Sequence, residues 1–394
     1  MSTIYYHSGM AGAPAGATNS EGGLIAVLDA CLVNGMNSIS VTGIVQSAGT
    51  ATATTASNHN FSIGDIVEVA GATPSAYNGW QRVTAKTSNT FTFAVASGTA
   101  SPATGTLTAK HPGAGWAKSF TGTNTAGYQG STAGMGHHVQ IEDNNPYADS
   151  NASARVRMAA GLTGLNAGTQ MAEQCRISKG ATSWLVVADS RTCYVIFGAL
   201  TTLCFGELAP LFAGDAYAWF MNRGENANGY AMHGSGERVG YCGANFPVAG
   251  AAFNDGINPL GSYHGAKLLR SYSQTGGDVE AIPSTTTFNG SGYAGEAAAM
   301  YSAQINLAGT NPVDGALGLA PILLAECAVG AACVRGALRG MYQPMGLLPA
   351  GGFNAQGIQV MDDTLINGQV RRVLVSRSGV SAARTQLAFD LGAW

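Results

Sequence analysis

Charge is what this sequence has least of: Asp, Glu, Lys and Arg supply 10% of its 394 residues, against about 25% in an average soluble domain. With 19 basic and 22 acidic residues the formal net charge is −3, which leaves no broad basic footprint for nucleic acid. The nearest approach is GQVRRVLVSRS, where Arg371, Arg372 and Arg377 fall on an expected strand. Three arginines on a strand read as a solvated or subunit-facing edge sooner than as a phosphate groove. The 55 glycines are about twice the usual share. A surface of Gly, Ala, Ser, Thr and Asn carries little of the repulsion that keeps proteins apart. Such a surface fits burial against other subunits, and it equally fits a GC-rich coding sequence.

Organised cysteine chemistry is also missing. Cys31, Cys175, Cys193, Cys204, Cys242, Cys327 and Cys333 are odd in number and include no C-x-x-C pair. Most stand in apolar runs and read as buried free thiols of a protein folded in reducing cytosol. MSTIYYHSG has neither a basic n-region nor an apolar core, so no signal peptide is expected. The most apolar window, residues 316–334, is broken by Gly318, Pro321, Glu326 and Gly330. It reads as a segment buried within or between subunits rather than a membrane span, with Leu319, Ile322, Leu323 and Leu324 as candidate subunit-interface residues.

Catalytic signatures are sparse too. His137, His138, Glu142 and Asp143 cluster in GHHVQIED, but on a strand neighbouring histidines point to opposite faces and do not share one ion. The acidic pairs Glu142–Asp143 and Asp362–Asp363 sit in turn-like surroundings and read as solvated turn residues. Glycosidase carboxylates come instead from separate elements facing across a cleft. GSGYAG, residues 290–295, matches G-x-G-x-x-G without the strand–helix context that gives the pattern meaning. Ser235 has His233 where a nucleophile elbow needs Gly. Cys327 and Cys333 fit no standard ligand spacing, and no metal site or cofactor is expected. An enzymatic alternative, a cell-wall hydrolase, would have to rely on Glu142, Asp143 and Asp215, assisted by His137 or His138.

What is present is mostly period-two alternation. Residues 1–20 are rich in small residues and predict an extended arm. Leu24, Val27, Leu28, Cys31 and Leu32 then recur at helical spacing, and Asn34-Gly35 supplies the stop. From Ser38 the period becomes two. FSIGDIVEVAGATPSAYNGWQRVTAKTSNTFTFAV reads as strands joined by Gly-, Pro- and Asn-rich turns. Residues 42–110 therefore form an expected inserted β-sandwich or small barrel module. Its core would be Ile63, Ile66, Val67, Val69, Phe91 and Phe93, and Tyr77, Asn78, Gly79 and Trp80 would form an exposed tip for surface contact. TSWLVVADSRTCYVIFGAL reads as a hairpin turning on Asp189, Ser190 and Arg191. The expected organisation is an arm and helix over 1–41, the module over 42–110, a central β-rich domain over 111–260 and a C-terminal β-rich domain over 261–394. The fold class is mainly β with a few helices, with β-sandwich or barrel-like domains.

The module resembles one found inserted in many tailed-bacteriophage virion proteins. The surrounding stretches MAGAP, GGLIAVLDACLVNG, GWAKSFTGTNTAGY, WLVVADSRTCYVIFG, FAGDAYAWF, PVDGALGLAPILLAE, VRGALRGMYQPM and AFDLGAW resemble a family of phage structural proteins encoded among tail and baseplate genes. The resemblance implies a non-enzymatic component of the virion tail, made in the host cytoplasm, with no catalytic residues. Its partners would be further copies of itself, other tail proteins and, through the tip, a host cell surface. A head decoration protein is the alternative within the virion. The chain departs from the family after ARVR, where MAAGLTGLNAGTQMAEQ replaces a more acidic, polar segment.

Overall fold

Alternation of period two does dominate. A computed structural model describes residues 3–16, 20–131, 137–146, 153–171, 175–177, 183–197, 201–210, 219–222, 266–273, 279–283, 307–308, 317–328, 331–344, 346–347, 357–366, 369–377 and 386–392. The described residues form sheets of thirteen, seven and six strands, antiparallel throughout, and one short parallel pair, Leu307–Ala308 with Gly346–Leu347. None of these sheets closes into a barrel.

The thirteen-stranded sheet is assembled from both ends of the chain. The arm contributes Ile4–His7, which pairs with Trp184–Ala188, and the last described strand, Gln386–Gly392, pairs with Gln369–Arg377. Trp219–Asn222 pairs with Ala266–Leu268, so one sheet runs across the boundary expected at 260/261. The hairpin expected around residue 190 forms as read: Trp184–Ala188 and Thr192–Phe197 pair in register. The Asp189 carboxylate accepts the backbone N–H groups of Arg191 and Thr192 at 2.7 and 2.8 Å, which closes the turn.

These strands are apolar on both sides because both faces are covered. Trp184, Val186 and Ala188 join one core with Val195, Phe205 and Trp219, whereas Leu185 and Val187 join another with Tyr194, Leu324, Leu374 and Phe389. The first core is shared with the six-stranded sheet, through Tyr128, Val139, Ile141, Val156 and Met158, and with the helix.

That helix begins as read from its apolar spacing. Gly23–Leu28 is α-helical and continues as a π-helical stretch over Asp29–Asn34, burying Leu24, Ile25, Val27, Leu28, Cys31 and Leu32. Gly35 ends it with φ 75°, a conformation that costs glycine little.

The module is the seven-stranded sheet. All its strands lie between Met36 and His111, and these two residues are register partners. Chain entry and exit are therefore side by side, as an insertion requires. The strand Met36–Ser47 is continuous across residue 42. Val67, Val69, Phe91 and Phe93 occupy the module's core, joined by Phe61, Tyr77 and Val83. Phe61 meets Phe91 edge-on at 5.4 Å. Each large side chain removed from water there contributes about 1.5–3 kcal/mol. Two expected core members lie elsewhere. Ile63 is 61% exposed in the turn before strand Ile66–Ala70, and Ile66 faces the body of the protein, in the helix-containing core.

The apolar window after residue 316 is a hairpin inside the large sheet, Leu319–Ala328 with Ala331–Pro344. Leu324 is fully buried in its own chain, and Leu319 packs against Val373 and Val375. Leu324 therefore serves intramolecular packing, while Leu319 and Leu323 are half-buried. The side chain of Ile322 lies outside the described residues. Among the described residues no helix is long and apolar enough to cross a membrane.

Candidate functional site

The tip sequence PSAYNGW forms a short 3-10 turn, Ser75–Tyr77, but the side chains turn inward. Tyr77 is fully buried and its hydroxyl donates to the Ala100 carbonyl at 2.9 Å. The Asn78 amide bridges the N–H and C=O of Ala72, both at 2.8 Å. Trp80 is half-buried against the helix-containing core of the body. Only Gly79 of the four is exposed. The exposed tip is thus corrected: a tyrosine beside Gly and Asn looks like a turn residue, but here it plugs the module's core.

The histidine–carboxylate cluster lies on strand His137–Glu142, every residue of which is buried. His137 meets the Trp219 ring at 5.2 Å and His138 the Phe120 ring at 5.9 Å, on different elements. Burial, with His138 beside it, pushes the His137 imidazole down to about 4, so it stays neutral near pH 7. Glu142 is held by Arg155 at 3.4 Å and by the Gln140 amide at 3.1 Å. Asp143 is completely buried, not solvated, and its carboxylate accepts the N–H groups of Leu24 and Ile25 at 2.7 and 3.4 Å. It caps the helix from 119 residues away, where Gly22 has no side chain to do so. Among the described residues no group of three His, Cys, Asp or Glu side chains could hold a metal. Asp215, His233, Ser235 and Gly290–Gly295 lie outside the described residues.

One polar concentration among the described residues was not singled out from the sequence: the seat of the module on the body. The arginine strand Gln369–Arg377 is not a solvated edge, since it is flanked by Ile358–Ile366 and Gln386–Gly392. Arg371 grips Asp390 in a two-pronged pair at 2.8–3.2 Å. Arg372 is buried and donates to the carbonyl of Gly64 in the module. Gly64 has φ 87°, and a Cβ there would lie 2.1 Å from the Arg372 guanidinium, so a larger residue would be strained and would push the arginine aside. Asp362 lies on strand Ile358–Ile366 rather than in a turn. It binds both Arg372 and the module's Arg82 at 3.1 Å.

Beneath this clasp is a cavity of about 10 Å³ lined by Tyr5, Gly64, Asp65, Ile66, His111 and Arg372. Asp65 and His111 are buried, with Oδ2 and Nε2 3.8 Å apart. Burial raises the Asp65 carboxyl and lowers the His111 imidazole, and it pushes the Tyr5 phenol up to about 12. The sequence predicts a strand running through this turn from Ile63; instead Asp65 closes it by accepting the N–H of Ser62 three residues back at 2.7 Å. The turn's partner Arg372 lies 308 residues from Gly64, and no local pattern marks that.

Fold and seat together define the class: a mainly β protein of antiparallel sheets in which a β-module stands in the chain between a helix and the six-stranded sheet. Compared with known proteins, the chain matches no family model and no curated sequence.

Proposed function

We propose that the chain is a non-enzymatic structural component of a tailed-phage virion, sited at the tail tip or baseplate and acting by symmetric assembly. The observation that carries this reading is the inserted module. It enters and leaves between paired residues Met36 and His111 and is held on the body by Arg372, Arg82 and Asp362. A self-contained domain held in one orientation suits a subunit that presents a surface to neighbours. The scarcity of charge across the whole sequence supports the same reading, since apposing such surfaces desolvates few ions. The resemblance of the quoted stretches to tail and baseplate proteins supplies the rest.

The test is immunogold electron microscopy of purified particles with antibody against this chain. The reading expects label at the distal end of the tail. Label over the head would replace it with the decoration reading. Particles that never label would sink both and return attention to hydrolysis of the host wall.

A further inference from the structure

We propose that the seat of the inserted module is an acid-operated latch, in which protonating His111, with His7 beside it, frees the module to pivot on its two-strand stalk. The proposal rests on the seat of the module and stands apart from the virion reading.

The stalk is the pair of crossing segments at Gly35–Met36 and His111–Gly113. Backbone approaches so closely there that a Cβ on Gly35 would lie 2.2 Å from the His111 carbonyl, and one on Gly113 2.5 Å from that of Val33. Among the described residues the module is otherwise joined to the body by noncovalent contacts that include Ile66 and Trp80 against the body core, Arg372 on Gly64, Lys110 on the Asn34 carbonyl and the partly exposed Arg82–Asp362 pair. His111 sits on the stalk with its side chain in this seam, 3% exposed. Its Nε2 has no hydrogen-bond partner, and Asp65 Oδ2 at 3.8 Å is beyond hydrogen-bond reach. The cavity it lines has room for about one water, too little to hydrate an imidazolium.

The groups facing His111 are few. Asp65 comes from the turn before Ile66–Ala70, Tyr5 and His7 from Ile4–His7, and Arg372 from Gln369–Arg377, while the Phe61 ring stands edge-on at 5.0 Å. Asp65 and a backbone hydrogen bond at Ile66 favour the cation, but burial outweighs them, and His7 is likewise lowered by burial from 6.5. Seated, both rings hold protons more weakly than when released into water. Release therefore takes up protons, and seating weakens as pH falls through 6.5. Asp65 has the opposite sign: its raised carboxyl favours seating once pH falls far enough to protonate it. The opening window thus lies below neutrality and above the range where Asp65 titrates. A tenfold difference in proton affinity for one histidine shifts the equilibrium by up to about tenfold.

Hydroxyl-radical footprinting of the full chain at about pH 8 and about pH 5.5 tests this. Trp80, Ile66 and Tyr5, all in the seam, should become about tenfold more reactive on acidification. Phe91 and Phe93 in the module core and Trp116 in the body should stay protected, which separates release from unfolding. His111→Gln should flatten most of the response. A wild type with no pH response in the seam overturns the latch, as does an unchanged response in His111→Gln. Should that variant not fold, the His111 ring is titrated by NMR in the wild type. A midpoint below 6.5 supports the latch and one at or above 6.5 overturns it.

Discussion

Replacing Asp143 by Ala removes a carboxylate whose two N–H partners, Leu24 and Ile25, open the helix at 2.7 and 3.4 Å. Losing a helix cap costs about 1 kcal/mol. Here the acceptor is charged, which makes such a bond worth about 1.5–3 kcal/mol, and the orphaned N–H groups are buried. We expect a loss of about 2–4 kcal/mol. The helix contributes Leu24, Val27, Leu28 and Leu32 to the core between the two body sheets, so the effect should spread beyond one turn. For a chain of 394 residues the unfolding entropy is about 0.8 kcal/mol/K near 60 °C. Cooperative unfolding then places the drop in Tm at about 2–5 °C. Asp143→Asn keeps a neutral acceptor and should lose roughly half as much. Calorimetry gives the Tm, and native-state hydrogen exchange reads the amides of Leu24 and Ile25 directly. If Asp143→Ala leaves both amides as protected as in wild type and the Tm unmoved, the cross-sheet cap contributes nothing and the reasoning is wrong.

Two other substitutions test the packing. Tyr77→Ala should destabilise the module by about 3–5 kcal/mol by emptying a fully buried aromatic site, and Tyr77→Phe by about 1 kcal/mol through its bond to Ala100; equal, small losses by denaturant unfolding would contradict a core role. Arg335 is fully buried, donates at 2.8 Å to both Glu326 and the Arg270 carbonyl, and lies over the Tyr272 ring. Glu326→Gln should therefore cost about 3–5 kcal/mol by leaving a buried cation without its counter-charge, while Arg335→Met with Glu326→Leu should cost much less. A double variant as damaged as the single one would show that the pair contributes net stability.

Local chemistry carried much of the fold. The 184–197 hairpin was readable because Asp189 bonds N–H groups two and three residues on. The helix was readable because its buried residues recur at its own period, and Asn34-Gly35 stops it where a left-handed residue is needed. The free thiols followed from their apolar surroundings: Cys31, Cys193 and Cys204 are buried and unpaired by disulfides, and burial pushes the thiols of Cys31 and Cys193 up. What failed was the reading of polar and aromatic residues in turns. Glu142 and Asp143 looked solvated and are buried, Tyr77 looked exposed and fills a core, and Arg372 looked like an edge charge and clamps a domain.

The sequence by itself thus settled the mainly β class and the helix, since both depend on periodicity and turn residues within about ten positions of one another. Tertiary structure alone decided the seat of the module, the helix cap and the inward turn of the tip. Their partners lie 308, 119 and 23 residues apart. At such separations a hydrogen bond leaves no periodic trace in the chain; it exists only once packing has brought its two ends together.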